Sequence, residues 1–194
     1  MKFTTAAIAA TAGVLVAASP CKPVSEKIND GDVFRVMTIR SGSDFQYASL
    51  QAANRGLIIG ASAQNASCGP EPHEYAEFQL NNGSLYLYTA NPPQQMFVDR
   101  SGMGQGLIQY TTGVEPLVKN GERQGFTIDD DMNLVFRDQT GQDIGFQACS
   151  PALGAKYSVW LDSVTNPAGY KDCLGFIARA QKSQDPVKCL YTNE

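Results

Sequence analysis

The chain reads as a single all-β domain of β-trefoil type, tied by disulfides. Three observations carry that reading. Helical periodicity is nearly absent, and short runs rich in β-branched and aromatic residues recur, with Gly, Asn, Asp and Pro between them. A frame of strand, polar turn and strand comes back along the chain. Five cysteines follow a segment laid out like an export signal, and exported cysteines pair.

The first residues, "MKFTTAAIAATAGVLVAASP", place Lys2 before an apolar run and the small residues Val16, Ala17 and Ala18 at its end. This is the layout of a secretory signal peptide over residues 1–18, with cleavage near Ala18. The run falls short of the ~20 residues a bilayer requires. The polar end "QKSQDPVKCLYTNE" lacks the hydrophobic tail of a glycolipid anchor. The mature chain is therefore expected outside the cell with no membrane anchor. Residues 19–32 form a short N-terminal segment, and residues 33–194 the domain. Roughly 175 residues after the leader suffice for one core. Losing Lys2 takes the formal net charge from −4 to −5, and no basic cluster occurs. Nucleic acid and anionic membrane are excluded as partners on that ground.

The strand-like runs are "VFRVMTIRS", "FQYASLQA", "GLIIGAS", "AEFQL", "SLYLYTA", "QMFVDR", "GLIQYTT", "QGFTID", "NLVFRD", "IGFQAC", "KYSVWLDS" and "DCLGFIARAQ". In "SLYLYT", Leu85 and Leu87 alternate with Tyr86 and Tyr88. That predicts a strand with its aliphatic face inward and its tyrosines outward or half buried. "EFQLNNGSLYLYT" and "GFTIDDDMNLVFRD" share one frame, in which Phe78 matches Phe126, Leu80 matches Ile128 and Leu85 matches Leu134. "VFRVMTIRSGSDFQYASL" serves as a weaker third copy, since Phe34, Phe78 and Phe126 stand 44 and 48 residues apart. Three copies of about four strands suggest a trefoil, which needs all three to close its core. A two-sheet β-sandwich accepts the same strands and stands as the alternative.

Cys68, Cys149, Cys173 and Cys189 are expected to form two disulfides, with three pairings open. Each bridge adds about 2–4 kcal/mol. Cys21, just past the cleavage site, is the odd cysteine, free or linked to a partner chain. Zinc is disfavoured, because no C-x-x-C spacing occurs and the single His73 is near none of the cysteines in sequence.

The stretch "DRSGMGQGLIQYTTG", residues 99–113, imitates a phosphate loop with Gly102, Gly104 and Gly106. The third glycine comes one residue too early for a dinucleotide fingerprint, the following segment is strand-like, and no Lys is present. A tight strand reversal is the better reading. His73 sits in the Pro-rich stretch "CGPEPHEYAEF" and reads as a solvated loop histidine, with no G-x-S-x-G elbow elsewhere. Asp129, Asp130, Asp131, Met132 and Asn133 lack the Gly and Glu of a calcium loop and fall at a predicted hairpin turn. Asp99, Asp129 and Asp143 read as ordinary surface acids. No catalytic, cofactor-binding or metal-binding residue is expected. Tyr86, Tyr88, Tyr110 and Trp160 are candidate platforms for stacking on sugar rings, against the ordinary half-buried role of strand aromatics. Two sequons, at Asn65 and Asn82, are expected N-glycosylation sites, and Asn82-Gly83 is also a hairpin-turn signal.

"DRSGMGQGLIQYTTG", "KNGERQGFTID", "GFQACS", "YSVWLD" and "DCLGFIARA" resemble the PhiA family of fungal cell wall proteins, also met as secreted IgE-binding allergens. The similarity spans residues 33–192 and takes in the glycine loop, the turn at Arg123, Gln124 and Gly125, and the four later cysteines. Cys21 has no place in the pattern. The resemblance implies a secreted, glycosylated protein deposited in the wall. It further implies a part in phialide and conidium development, hence asexual sporulation, and in protection under stress. It brings no catalytic residues. A cell wall polysaccharide is the expected partner. A secreted lectin or effector is the alternative, although the Q-x-W repeat of ricin-type lectins is missing. Of the three pairings, Cys149 with Cys173 and Cys68 with Cys189 is carried forward.

Overall fold

A computed structural model describes residues 27–69 and 73–193. The expected signal peptide and Cys21 lie outside the described residues. The chain folds into strands β1 (Val33–Ile39), β2 (Gln51–Ala53), β3 (Gly56–Ile59), β4 (Glu77–Asn81), β5 (Ser84–Leu87), β6 (Gln94–Asp99) and β7 (Leu107–Thr112). Then follow β8 (Gly121–Glu122), β9 (Phe126–Ile128), β10 (Leu134–Arg137), β11 (Asp143–Ile144), β12 (Phe146–Ser150), β13 (Tyr157–Leu161) and β14 (Asp172–Lys182). One 3-10 turn, Pro167–Gly169, interrupts them. Each of the strand-like runs holds a strand, and only β8 lies outside them.

The alternation read in "SLYLYT" holds: Leu85 and Leu87 are buried, and Tyr86 is half-buried. It fixes which face of β5 meets the core, because a one-residue slip would turn both leucines to water. Asn82 and Gly83, with φ of 48° and 78°, make the β4–β5 turn. Left-handed backbone at both central residues is what matches a two-residue hairpin to strand twist.

Closure follows from long-range pairing. β1 pairs with β14 on one side and β4 on the other. β4 pairs with β5, and β9 with β10. A bridge from Ser84 to Gln124 joins β5 to the approach to β9, and one from Asn133 to Arg179 joins the approach to β10 to β14. Six strands thus close a ring. Three hairpins, β2–β3, β6–β7 and β12–β13, meet one another through Gly56 with Gln109, Leu107 with Trp160 and Ile58 with Ser158. The described strands thus form an all-β domain with a closed barrel sheet and a second, three-stranded sheet of β9, β10 and β11.

The third copy is framed differently from the sequence reading. β1 and β14 together do the work of β4–β5 and β9–β10. Phe34 is therefore not the counterpart of Phe78 but faces it across β1–β4, with ring centroids 6.0 Å apart. The third copy escapes a linear frame because its strands come from opposite ends of the domain. β14 also places the small Ala178 and Ala180 on its buried face, beside Phe176. The barrel interior is otherwise bulky, with Phe34, Phe78, Leu85, Phe126, Leu134 and Phe136 buried. Phe126 and Phe136 meet edge to face at 5.2 Å, a contact worth about 0.5–1.5 kcal/mol beyond area burial.

Two disulfides cross-link the domain. Cys149 and Cys173 stand opposite each other in the β12–β14 register and are joined. Cys68 joins Cys189 across 121 residues, tying the loop after β3 to the C-terminal segment. The pairing is the one carried forward.

That C-terminal segment is stitched down by buried polar groups. Tyr191 N–H donates to the Gln94 side-chain oxygen, and the Gln94 amide donates back to the Tyr191 carbonyl, both at 2.9 Å. Glu77 N–H donates to the Tyr191 hydroxyl, and Val187 N–H donates to the Glu77 carboxylate at 2.6 Å. The Tyr110 hydroxyl donates to the Thr192 carbonyl. Burial pushes the Tyr110 and Tyr191 phenols above the ordinary tyrosine range. The unfolded chain then releases these protons first, at about pH 10, while the folded chain holds them. The stabilisation is whole below that pH and is lost as pH rises towards the folded values. Urea unfolding between pH 8 and 12 should therefore show stability falling above about pH 10, with a shallower fall in a Tyr110→Phe, Tyr191→Phe variant. An unchanged slope in that variant would refute this assignment.

Candidate functional site

The glycine loop between β6 and β7 uses its own amides. Ser101 N–H donates to the Asp99 carboxylate at 2.9 Å, and Gly104 N–H to the Ser101 hydroxyl at 3.2 Å. Gln105 N–H donates to the Ser101 carbonyl and Gly106 N–H to the Asp99 carbonyl, both at 2.8 Å. A phosphate cradle needs such donors turned outward. Here they close a turn, as expected from the sequence.

The other motif residues are equally occupied. Asn133 N–H and its side-chain amide donate to Asp129 at 2.7 and 3.0 Å, which caps the β9–β10 turn. Asp143 holds Arg137 through two contacts of 2.7 and 2.8 Å, and that guanidinium draws the Asp143 carboxyl below its ordinary range. Among the described residues no group of three or more His, Cys, Asp or Glu is placed to hold a metal ion. His73 corrects the sequence reading. Its side chain is only 12 % exposed, lies 4.1 Å from the Tyr75 ring, and puts Nε2 3.6 Å from the buried Glu77 carboxylate. Packing against the Tyr75 ring holds it to the domain, where a solvated loop histidine was expected.

The four aromatics part company. Tyr86 and Tyr88 are half-buried on the outer side, and Lys188 lies over the Tyr88 ring at 5.4 Å. Tyr110 is buried at 1 % exposure in the core, so it offers no face to a polymer in solvent. Trp160 is 7 % exposed, and its indole N–H donates to the Ser158 hydroxyl at 2.9 Å. β13 buries the consecutive residues Val159, Trp160 and Leu161, with Tyr170 lying against the Trp160 ring. The two expected platforms at Tyr110 and Trp160 are thus not open surface. Asn65 and Asn82, by contrast, are both exposed.

Trp160 does border a cavity of about 240 Å³ that opens where the three hairpins meet. Leu57 and Ile58 of β3, Leu107 and Ile108 of β7, and Val159 of β13 supply its apolar lining. Tyr170 stands at its side, edge to face with Trp160 at 5.9 Å between centroids. Asn54, Gln109 and Ser158 add polar groups, and Leu153 adds an apolar side chain that is 86 % exposed. Sequence reasoning reached Trp160 alone. The one further signal was Leu153, a large apolar residue in the loop "SPALGAK".

A sequence model of PhiA-like secreted proteins matches residues 34–192, nearly the whole described chain. The chain belongs to this family. Other PhiA proteins match closely along their length. The cell wall protein phiA of Aspergillus fumigatus is 41 % identical over 194 residues, covering 99 % of this chain and all of that protein. Its namesake in Emericella nidulans is 38 % identical over 195 residues, covering both chains in full. The Aspergillus niger protein of the same name is 43 % identical over 162 residues, covering 82 % of this chain and 85 % of that protein. Membership places the chain among secreted cell wall proteins. No solved structure matches it.

Proposed function

We propose that this PhiA-family protein is a non-catalytic component of the fungal wall, held among wall polysaccharides without a covalent link. It serves phialide and conidium development and guards the wall under stress. The observation that carries this reading is the closed, doubly cross-linked β domain, in a chain 41 % identical to a cell wall protein along its length. Cross-links across 121 and 24 residues keep such a domain folded where no chaperone acts. Glycans on the exposed Asn65 and Asn82 complete the picture.

Culture fractionation tests this. The protein is expected in the detergent-extracted or glucanase-released wall, and N-glycosidase treatment should lower its mass by two glycan units. Loss of the gene should reduce conidium yield. Recovery from the medium alone would sink the wall assignment. Binding to non-fungal glycans on an array, with no retention on wall polymers, would favour a lectin or effector instead.

A further inference from the structure

The cavity between the hairpins has the chemistry of a sugar site. We propose that it binds one ring of a neutral pyranose polymer, inserted from the side marked by Leu153, Trp160 and Tyr170. This rests on the wall reading above and names the place where the polymer is held.

Charge argues first. None of the residues lining the cavity is charged, so a phosphate, a uronic acid or an amine would enter with no counter-charge. Shape and polarity come next. Ligand cavities are mostly apolar, with a few polar groups that orient the guest. Here Ile58, Leu107 and Trp160 make the apolar part, on the strand face opposite the core residues Leu57, Ile108 and Val159. The side-chain amides of Asn54 and Gln109 and the hydroxyl of Tyr170 make no hydrogen bond to the described protein, yet none is an orphaned buried group. They are free for a guest with several hydroxyls. A pyranose presents an apolar C–H face to aromatic rings and a hydroxyl edge to amides, which fits this set. A purely apolar guest would leave those amides and that hydroxyl dry and unpartnered, at a cost. The volume of about 240 Å³ lies below the ~300–1,000 Å³ of pockets for drug-sized molecules, so one ring enters and not a run of the chain.

Leu153 supports the same assignment. It is 86 % exposed on the loop that borders the opening. It is placed to cover the next ring of a polymer whose end sits inside.

The chain carries its own reporter, since Trp160 is its single tryptophan. The full-length secreted protein is titrated with laminarihexaose and with chitohexaose while tryptophan emission is followed. One of the two should shift the emission saturably, which also separates glucan from chitin as the source of the ring. Leu153→Ser and Gln109→Ala should each weaken that binding about tenfold, the scale of one lost contact of ~1.4 kcal/mol. Leu153 is solvent-exposed, so its variant keeps the wild-type circular dichroism and melting temperature. If neither sugar moves the emission, yet glucan or chitin particles pull the protein down, the cavity assignment falls and the wall reading stands. If neither sugar acts and the particles retain nothing, both fall. An emission shift with the uncharged apolar probe N-phenyl-1-naphthylamine, and with no sugar, overturns the sugar assignment in favour of an apolar guest.

Discussion

Replacing Cys68 and Cys189 together by alanine should cost about 5 kcal/mol, against about 3.5 kcal/mol for Cys149 and Cys173. The difference comes from the length of chain each bridge constrains in the unfolded state, 121 residues against 24. Local structure widens it. Cys149 and Cys173 already face each other in a ladder that also pairs Phe146 with Phe176 and Ala148 with Leu174. Cys68 lies beside one isolated bridge, Ser67 with Leu190, so its disulfide is the main tie between that loop and the C-terminal segment. A loss of about 5 kcal/mol is comparable to the whole stability of many domains, about 5–15 kcal/mol. Urea unfolding of the two double variants at neutral pH measures both losses. Equal midpoints would mean that loop length does not govern these bridges.

A second large effect is expected at Gly104, and almost none two residues earlier. A Cβ built at Gly104 would lie 2.2 Å from the Asp99 side-chain carboxyl carbon and 2.4 Å from the Asp99 backbone oxygen. One at Gly102 would meet nothing within 4 Å. Asp99 cannot move aside freely, because its carbonyl accepts Gly106 N–H and its carboxylate accepts Ser101 N–H. Gly104→Ala should therefore cost about 3 kcal/mol, at the upper end of overpacking effects. Gly102→Ala should stay within about 0.5 kcal/mol of wild type. In a domain of this size the first is a fall of about 6–12 °C in melting temperature. Calorimetry of the two variants side by side decides it. If both melt with the wild type, the loop does not close on Asp99 as described, and its glycines need another explanation.

Much of this fold was readable from local pattern. Alternation in "SLYLYT" named the inner face of β5 before any partner strand was known, because side chains alternate within a strand whatever lies beside it. Asn82-Gly83 named its turn, since left-handed backbone is a property of those two residues. Composition around the leader and the even set of later cysteines pointed to a cross-linked exported domain.

Where reading failed, the missing information was non-local. Phe34 was set in the wrong frame because the third copy is completed by β14, which lies more than a hundred residues away in sequence. Tyr110 and Trp160 have the same local signature as Tyr86, and only packing by distant hairpins buries them. His73 looked solvated because it sits in a Pro-rich stretch, but it lies beside the Glu77 carboxylate, whose burial depends on Val187 and Tyr191 at the far end of the chain. The cavity is the extreme case. Its walls come from three hairpins, and no single segment contains it. The sequence by itself determined the strands, the turns and the cysteine set, because each depends on neighbours along the chain. Which strands close the barrel, which aromatics are hidden and where the cavity lies were decided by tertiary structure, because burial is set by whatever the rest of the chain places alongside.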